Sequence, residues 1–147
     1  MARVPEIPGD QSAASTDVDE TDHFCPGCGV RRKLFARYPW YFCTDCLALA
    51  EDGEGRRLSF SNAEIFGGFV WRYADDPQLM DDGSTAVICL IRNREAIVHE
   101  ARFGGIVAEP LNSFSVHLLR EEKILRLLRG EVLAGARKRL KPCAPKL

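Results

Sequence analysis

The chain contains no run of about 18 apolar residues, so no segment has the composition to span a bilayer as a helix, and no membrane role is expected. Its first residues carry neither a positive leader nor an apolar stretch of signal-peptide length, and a cytoplasmic protein is expected. Histidine is scarce, with three residues at positions 23, 99 and 117. No Ser-His-Asp constellation can be assembled from them. No phosphate-cradling glycine loop stands ahead of a helix, and "HEARF" is not HExxH. An excess of charge of one sign is also missing: the formal net charge is -1, which argues against a uniformly basic nucleic-acid binder.

That small net charge conceals strong local imbalance. Residues 1–22 carry one basic residue against six acidic ones, and residues 23–50 carry four basic against one acidic. Residues 51–111 are acidic overall, and from 112 onward nine basic residues face three acidic ones. Two local cationic patches are therefore available for a partner. With 147 residues, one modest body or a small metal module attached to one is the natural size. Residues 1–22, rich in Ser, Thr, Asp and Glu and almost free of large apolar side chains, are expected to be a disordered acidic tail.

Cysteine is present in a telling arrangement. Cys25 and Cys28 are two residues apart, as are Cys43 and Cys46, with fourteen residues between the pairs. Each CxxC can wrap its backbone so that both sulfurs point inward, and the arm between them is long enough to bring the pairs face to face. Gly29, directly after the first pair, suits the positive φ of a tight knuckle, whereas Leu47 holds the equivalent place after the second. Residues 23–50 resemble the zinc-ribbon class, in which two such knuckles clasp one zinc at the end of a short antiparallel ribbon. The downstream run "GGFVWRYA…ICLI…EARFGGIV" looks similar to small bacterial proteins in which a zinc ribbon precedes a compact β unit. The resemblance implies one structural zinc ion held by Cys25, Cys28, Cys43 and Cys46. Zinc is preferred to iron because a closed four-thiolate site suits it, although four thiolates also take iron. With all four positions filled, such a site offers zinc no place to activate water, and no catalytic residue is assigned to it.

The arm between the knuckles bears more directly on function. Read as a strand, "VRRKLFAR" puts Arg31, Lys33, Phe35 and Arg37 on one face, with cations for phosphates and a ring for an unstacked base. The alternative is a solvated charged face, with the aromatics packed on the rest of the protein. Trp40 and Phe42 would share a face of the return strand.

Along residues 51–111 the patterns are those of a small antiparallel β unit. "LSF" (58–60) reads as a short strand. Ser61 and Glu64 have the spacing of a capping box opening a helical turn. "FVWRY" reads as a strand presenting Phe69, Trp71 and Tyr73, and "ADDPQLMDDGS" as a loop. "TAVICLI" (85–91), apolar on both faces, reads as a central strand with Cys89 in the core. "RNRE" reverses the chain into a strand bearing His99, and "IVAEP" (106–110) closes the unit. An alternative function, a small enzyme site around His99, Glu100 and Arg102, meets an obstacle, since neighbours on a strand point to opposite faces. Glu100 and Arg102 read better as a surface ion pair, and His99 as a partly buried structural residue.

From 112 to 141 the apolar residues Ile124, Leu125, Leu128 and Val132 suggest one face of an amphipathic helix ending in "RKRLK", with 142–147 as a tail containing the unassigned Cys143. The expected fold is α+β: an N-terminal zinc ribbon packed on a small antiparallel sheet, followed by a C-terminal helix. The expected function is a non-catalytic, zinc-stabilised binding or adaptor protein for a protein or nucleic acid. Its contacts would lie on the ribbon arm, the C-terminal helix or both, and the helix could also pair with a symmetry mate in a homo-oligomer.

Overall fold

A computed structural model of the chain describes residues 22–33, 40–64, 67–101, 105–111 and 124–143. Within these lie β1 (Asp22–Phe24), β2 (Arg31–Lys33), α1 (Thr44–Leu47), β3 (Leu58–Ser61), β4 (Val70–Tyr73) and β5 (Asp76–Asp81). They are followed by β6 (Ala86–Ile91), β7 (Arg94–Glu100), β8 (Ile106–Pro110), β9 (Ile124–Arg126), α2 (Gly130–Arg137) and β10 (Lys141–Pro142). The strands form two four-stranded sheets, ordered β9-β6-β7-β8 and β10-β5-β4-β3, and a separate β1-β2 pair. Only β9 on β6 is parallel among the described pairings. The described architecture is therefore mostly antiparallel β with two short helices.

The apolar run of β6 organises the first sheet. Val87, Cys89 and Ile91 belong to the main core, while Ala86 and Ile88 belong to a second cluster on the other face with Ile97 of β7. Burial pushes the Cys89 thiol up to about 12, which leaves it an inert core residue. The reversal after β6 uses Arg92 at φ 50 and Asn93 at φ 66, the paired left-handed conformation whose twist matches the flanking strands. The main core joins these side chains to Phe69, Trp71 and Tyr73 of the second sheet, and to Cys25, Phe42, Cys43 and Cys46. Both sheets and the cysteine block thus share one apolar interior. Burying a side chain of the size of Phe69 contributes on the order of 2 kcal/mol.

Three segments differ from the sequence-based expectation. The stretch expected to be a loop contains β5, with Trp71 paired to Asp81 and Tyr73 to Asp76, so β5 carries extra residues against β4 in a bulge. Its Asp, Pro and Gln residues read as loop, but the strand exists through its backbone pairing on both sides, with Pro77 and Gln78 exposed and Asp81 buried. Ser61 ends β3 and does not cap a helix. Glu64 and Gly67 exchange two backbone hydrogen bonds of 2.9 and 3.1 Å, residues 65 and 66 lying outside the described ones.

The expected helix over 112–141 is corrected in the same way, residues 112–123 and 144–147 lying outside the described ones. Residues 124–126 form β9, where the alternation of period two places Leu125 and Leu127 in the main core and Ile124 and Leu128 on the opposite face. The open edge of β6 accepts this strand, and Leu127 N–H continues the contact to Ile88 O at 2.8 Å. A four-residue apolar cluster fits either period, and the available edge decides. Among the described residues of this segment, helix begins at Gly130, with Leu133 and Ala136 buried and Val132 exposed.

Two buried carboxylates anchor the end of α2. Asp52, fully buried, accepts Glu54 and Arg56 N–H at 2.8 and 3.0 Å on Oδ1, and Tyr73 Oη–H and Arg137 Nη2 at 2.6 and 2.8 Å on Oδ2. Asp81 accepts Gly83 N–H at 2.9 Å, Trp71 Nε1 at 2.9 Å, Ser84 Oγ at 2.7 Å and Arg139 Nε at 3.3 Å. Burial raises both carboxyl pKa values, but the hydrogen-bond donors outweigh it and hold both below the ordinary 3.8. Burial, chiefly, pushes the Tyr73 phenol up to about 12, so it stays a donor to Asp52.

Asp52→Asn is expected to destabilise the protein by about 3 kcal/mol in urea unfolding at neutral pH, because Arg137 and Tyr73 lose a charged acceptor. A carboxyl with a depressed folded-state pKa contributes its stability above 3.8 and loses it as pH falls through the folded value. The gap between wild type and Asp52→Asn should therefore narrow below that pH. A gap that stayed constant would contradict the assignment.

Candidate metal centre

The first knuckle is built by local backbone hydrogen bonds. Gly29 N–H reaches Cys25 O and Cys25 N–H reaches Val30 O, both at 2.8 Å, with Gly29 at φ 83. The second knuckle has a different construction. Cys43 precedes α1, Cys46 lies within it, and Leu47 N–H donates to Cys43 O at 2.9 Å in the helical manner. A helical turn needs no left-handed residue, which accounts for Leu47 in place of a second glycine.

The two knuckles bring the Sγ atoms of Cys25, Cys28, Cys43 and Cys46 within 4.8 Å of one another, and this group could hold a metal ion. Cys25 to Cys46 is 3.7 Å and Cys28 to Cys43 is 3.6 Å. Four thiolates held about 2.3 Å from a central ion would form a tetrahedron with edges of about 3.8 Å, a separation that these two pairs already have. Cys25, Cys43 and Cys46 are buried, and Cys28 is exposed.

Donors surround the sulfurs. Gly27 N–H and Cys43 N–H approach Cys25 Sγ at 3.3 and 3.2 Å, and Arg92 Nε approaches Cys46 Sγ at 3.2 Å. Burial raises the Cys25 thiol, but the backbone donors outweigh it and bring it to about 6. Burial pushes Cys46 up to about 12, with Arg92 pulling the other way. A bound metal would hold Cys25, Cys28, Cys43 and Cys46 as thiolates, filling every position of a tetrahedron and leaving none for water.

His23 stands apart from this group. Its Nε2 is 3.0 Å from Tyr41 O, its ring lies 4.3 Å from that of Tyr41, and its Nδ1 is buried without a hydrogen-bond partner. It packs under the β1-β2 pair. That pair differs from the expected ribbon, because β2 pairs with β1, upstream of the first knuckle, and residues 41–43 form no strand.

The register sets Phe24 opposite Arg31 and His23 opposite Arg32, which separates an outer face from an inner one. Arg31 and Lys33 are exposed on the outer face, while Phe35 and Arg37 lie outside the described residues. Three further residues of the cysteine block are exposed, Phe24 by 59%, Val30 by 42% and Trp40 by 40%, and of these Phe24 shares the outer face with Arg31. Phe24 was legible only from the pairing of β1 with β2, since two residues before a CxxC carry no signal of their own. Phe42, expected beside Trp40, turns into the core, its N–H bonded to Ala108 O at 2.8 Å.

Of the residues of the alternative enzyme site, the His99 ring and the Glu100 carboxylate take different partners. His99 Nε2 is 2.8 Å from Glu109 Oε2 on the neighbouring strand, and His99 Nδ1 is 3.0 Å from Glu100 O. The Glu100 carboxylate instead accepts Gly68 N–H at 3.0 Å, and Arg102 lies outside the described residues. Glu109 was missed in the sequence because its link to His99 depends on the β7-β8 register. Among the described residues no helix is long and apolar enough to cross a membrane.

No family model, no curated protein and no solved structure matches this chain.

A Cβ on Gly27 would stand 2.8 Å from Cys46 Sγ, closer than contact allows. Gly27→Ala is therefore expected to displace a ligand sulfur and weaken metal binding by tenfold or more, on the order of 1.4 kcal/mol. Chelator competition on the purified protein measures it. Wild-type affinity in that variant would mean that the sulfur positions do not govern metal binding.

Proposed function

We propose that the protein is a non-catalytic, zinc-stabilised α+β binding module whose working surface is the outer face of the β1-β2 pair, and that its target is single-stranded nucleic acid. The observation that carries this reading is the placement of exposed Phe24 directly across from exposed Arg31, with Lys33 on the same strand as Arg31 and Trp40 exposed nearby in the chain. Cations attract phosphates at any sequence, and exposed rings stack on unpaired bases. Among the described residues, three of the four exposed large hydrophobic ones belong to the cysteine block, the fourth being Val132 on α2. An apolar and cationic surface set on a rigid knuckle suits recognition better than chemistry.

The cysteine centre serves this surface by anchoring it. Zinc is the ion we assign, since a closed four-thiolate set favours it in a structural role. The β1-β2 pair is too small to hold its own shape, and the knuckle between its strands supplies the constraint. Elemental analysis of purified protein should give one zinc per chain.

Binding of a labelled oligouridylate, followed by fluorescence anisotropy, is expected to weaken steeply with salt. Arg31→Glu combined with Lys33→Glu should lower the magnitude of the log–log salt slope by about 1.4, the value for two single-strand phosphate contacts. Phe24→Ala and Trp40→Ala should each weaken binding by about 1–3 kcal/mol while leaving that slope unchanged. Absence of salt-dependent binding, with a protein partner retained after nuclease treatment, would replace this reading with the protein-adaptor one.

A further inference from the structure

Arg92 occupies the first of the two left-handed positions in the β6-β7 turn, with φ 50. Turns of that shape are filled preferentially by Asn, Asp or Gly, and an arginine there is backbone-strained. Its side chain has a definite destination. Nε donates to Cys46 Sγ at 3.2 Å across a sequence separation of 46, and Cδ runs 3.3 Å from the place a Gly27 Cβ would take. The missing side chain at Gly27 is what lets the arginine stem reach the sulfur.

Four thiolates around a divalent cation leave two net negative charges in a largely buried site. Backbone N–H groups of Gly27 and Cys43 serve Cys25, whereas the nitrogen that reaches Cys46 belongs to Arg92. A guanidinium offsets charge as well as donating a hydrogen bond, and outer donors of this kind orient ligands and tune metal affinity.

We propose that Arg92 is a working part of the metal centre, a positioning residue that fixes Cys46 Sγ, neutralises part of the thiolate charge and ties metal retention to the β6-β7 turn. The inference rests on the four cysteines holding a metal. It is independent of what the outer face binds.

Arg92→Asn tests it, because asparagine suits the left-handed turn position while removing the donor and the charge. The probe is zinc alone, in competition with a chromophoric chelator, with cobalt substitution reporting the thiolate charge-transfer band. Arg92→Asn is expected to bind zinc about 10–100-fold more weakly than wild type, with thermal stability at saturating zinc equal or higher. The cobalt band should shift, and Arg92→Lys should recover part of the affinity through its charge. Wild-type zinc affinity in both variants overturns the proposal and leaves the metal centre standing. Wild-type protein that binds no zinc overturns both. If Arg92→Asn fails to fold with zinc present, Arg92→Lys decides alone: zinc affinity equal to wild type counts against the proposal, and an intermediate loss supports it.

Discussion

The sulfur of Cys46 is fully enclosed, and three separate parts of the chain meet around it. Cys25 approaches from the first knuckle at 3.7 Å, Gly27 closes over it without a side chain, and Arg92 reaches it from the turn of the first sheet. Four sulfurs this close would repel one another as bare thiolates, since like charges at such range and low solvent exposure interact strongly. A shared cation reverses the sign of that interaction. Three of the four cysteines, Cys25, Cys43 and Cys46, lie in the core that both sheets share, so a metal there would act on the fold beyond its own knuckles.

Helix α2 shows how much of the remaining order is borrowed. With eight residues and two glycines it is far too short to be stable in isolation, where about 12–15 residues are marginal even for good helix formers. Burial of Leu133 and Ala136 holds one face. Arg137 and Arg139, at its C-terminal end, then seat on Asp52 and Asp81, two carboxylates that are themselves fixed by Tyr73, Trp71, Ser84 and backbone donors. The basic run "RKRLK" is accordingly divided: two of its cations serve the interior, and Lys141 pairs at the surface with Asp82 at 3.2 Å.

The cysteine block divides along a similar line. Its inner side, with His23, Tyr41, Phe42 and three of the cysteines, belongs to packing and to the candidate metal. Its outer side, with Phe24, Arg31 and Lys33, leaves charge and aromatic surface in solvent, and it is this surface that we read as the binding face. His99 with Glu109 forms a buried polar pair that links β7 to β8, while the Glu100 carboxylate turns to Gly68 N–H.

Several features were decided by residues close together in the sequence. The CxxC spacings brought the four sulfurs into one cluster, the two-sided apolar run at 86–91 made a central strand, and Asn93 marked the reversal after it. Each is a local property, because knuckles, turns and side-chain alternation depend on a few neighbouring dihedrals. Other features needed the folded chain. The apolar residues at 124–128 became strand because β6 had an edge to offer, and the loop-like sequence of β5 became strand because β4 and β10 flank it. Phe24 faced outward through its pairing with β2, and Arg92 met Cys46 from 46 residues away. Local spacing determines where a sulfur or a turn can stand. Which edge is open, which face is covered and which distant donor meets a buried acceptor are properties of long-range packing, and only the tertiary structure decides them.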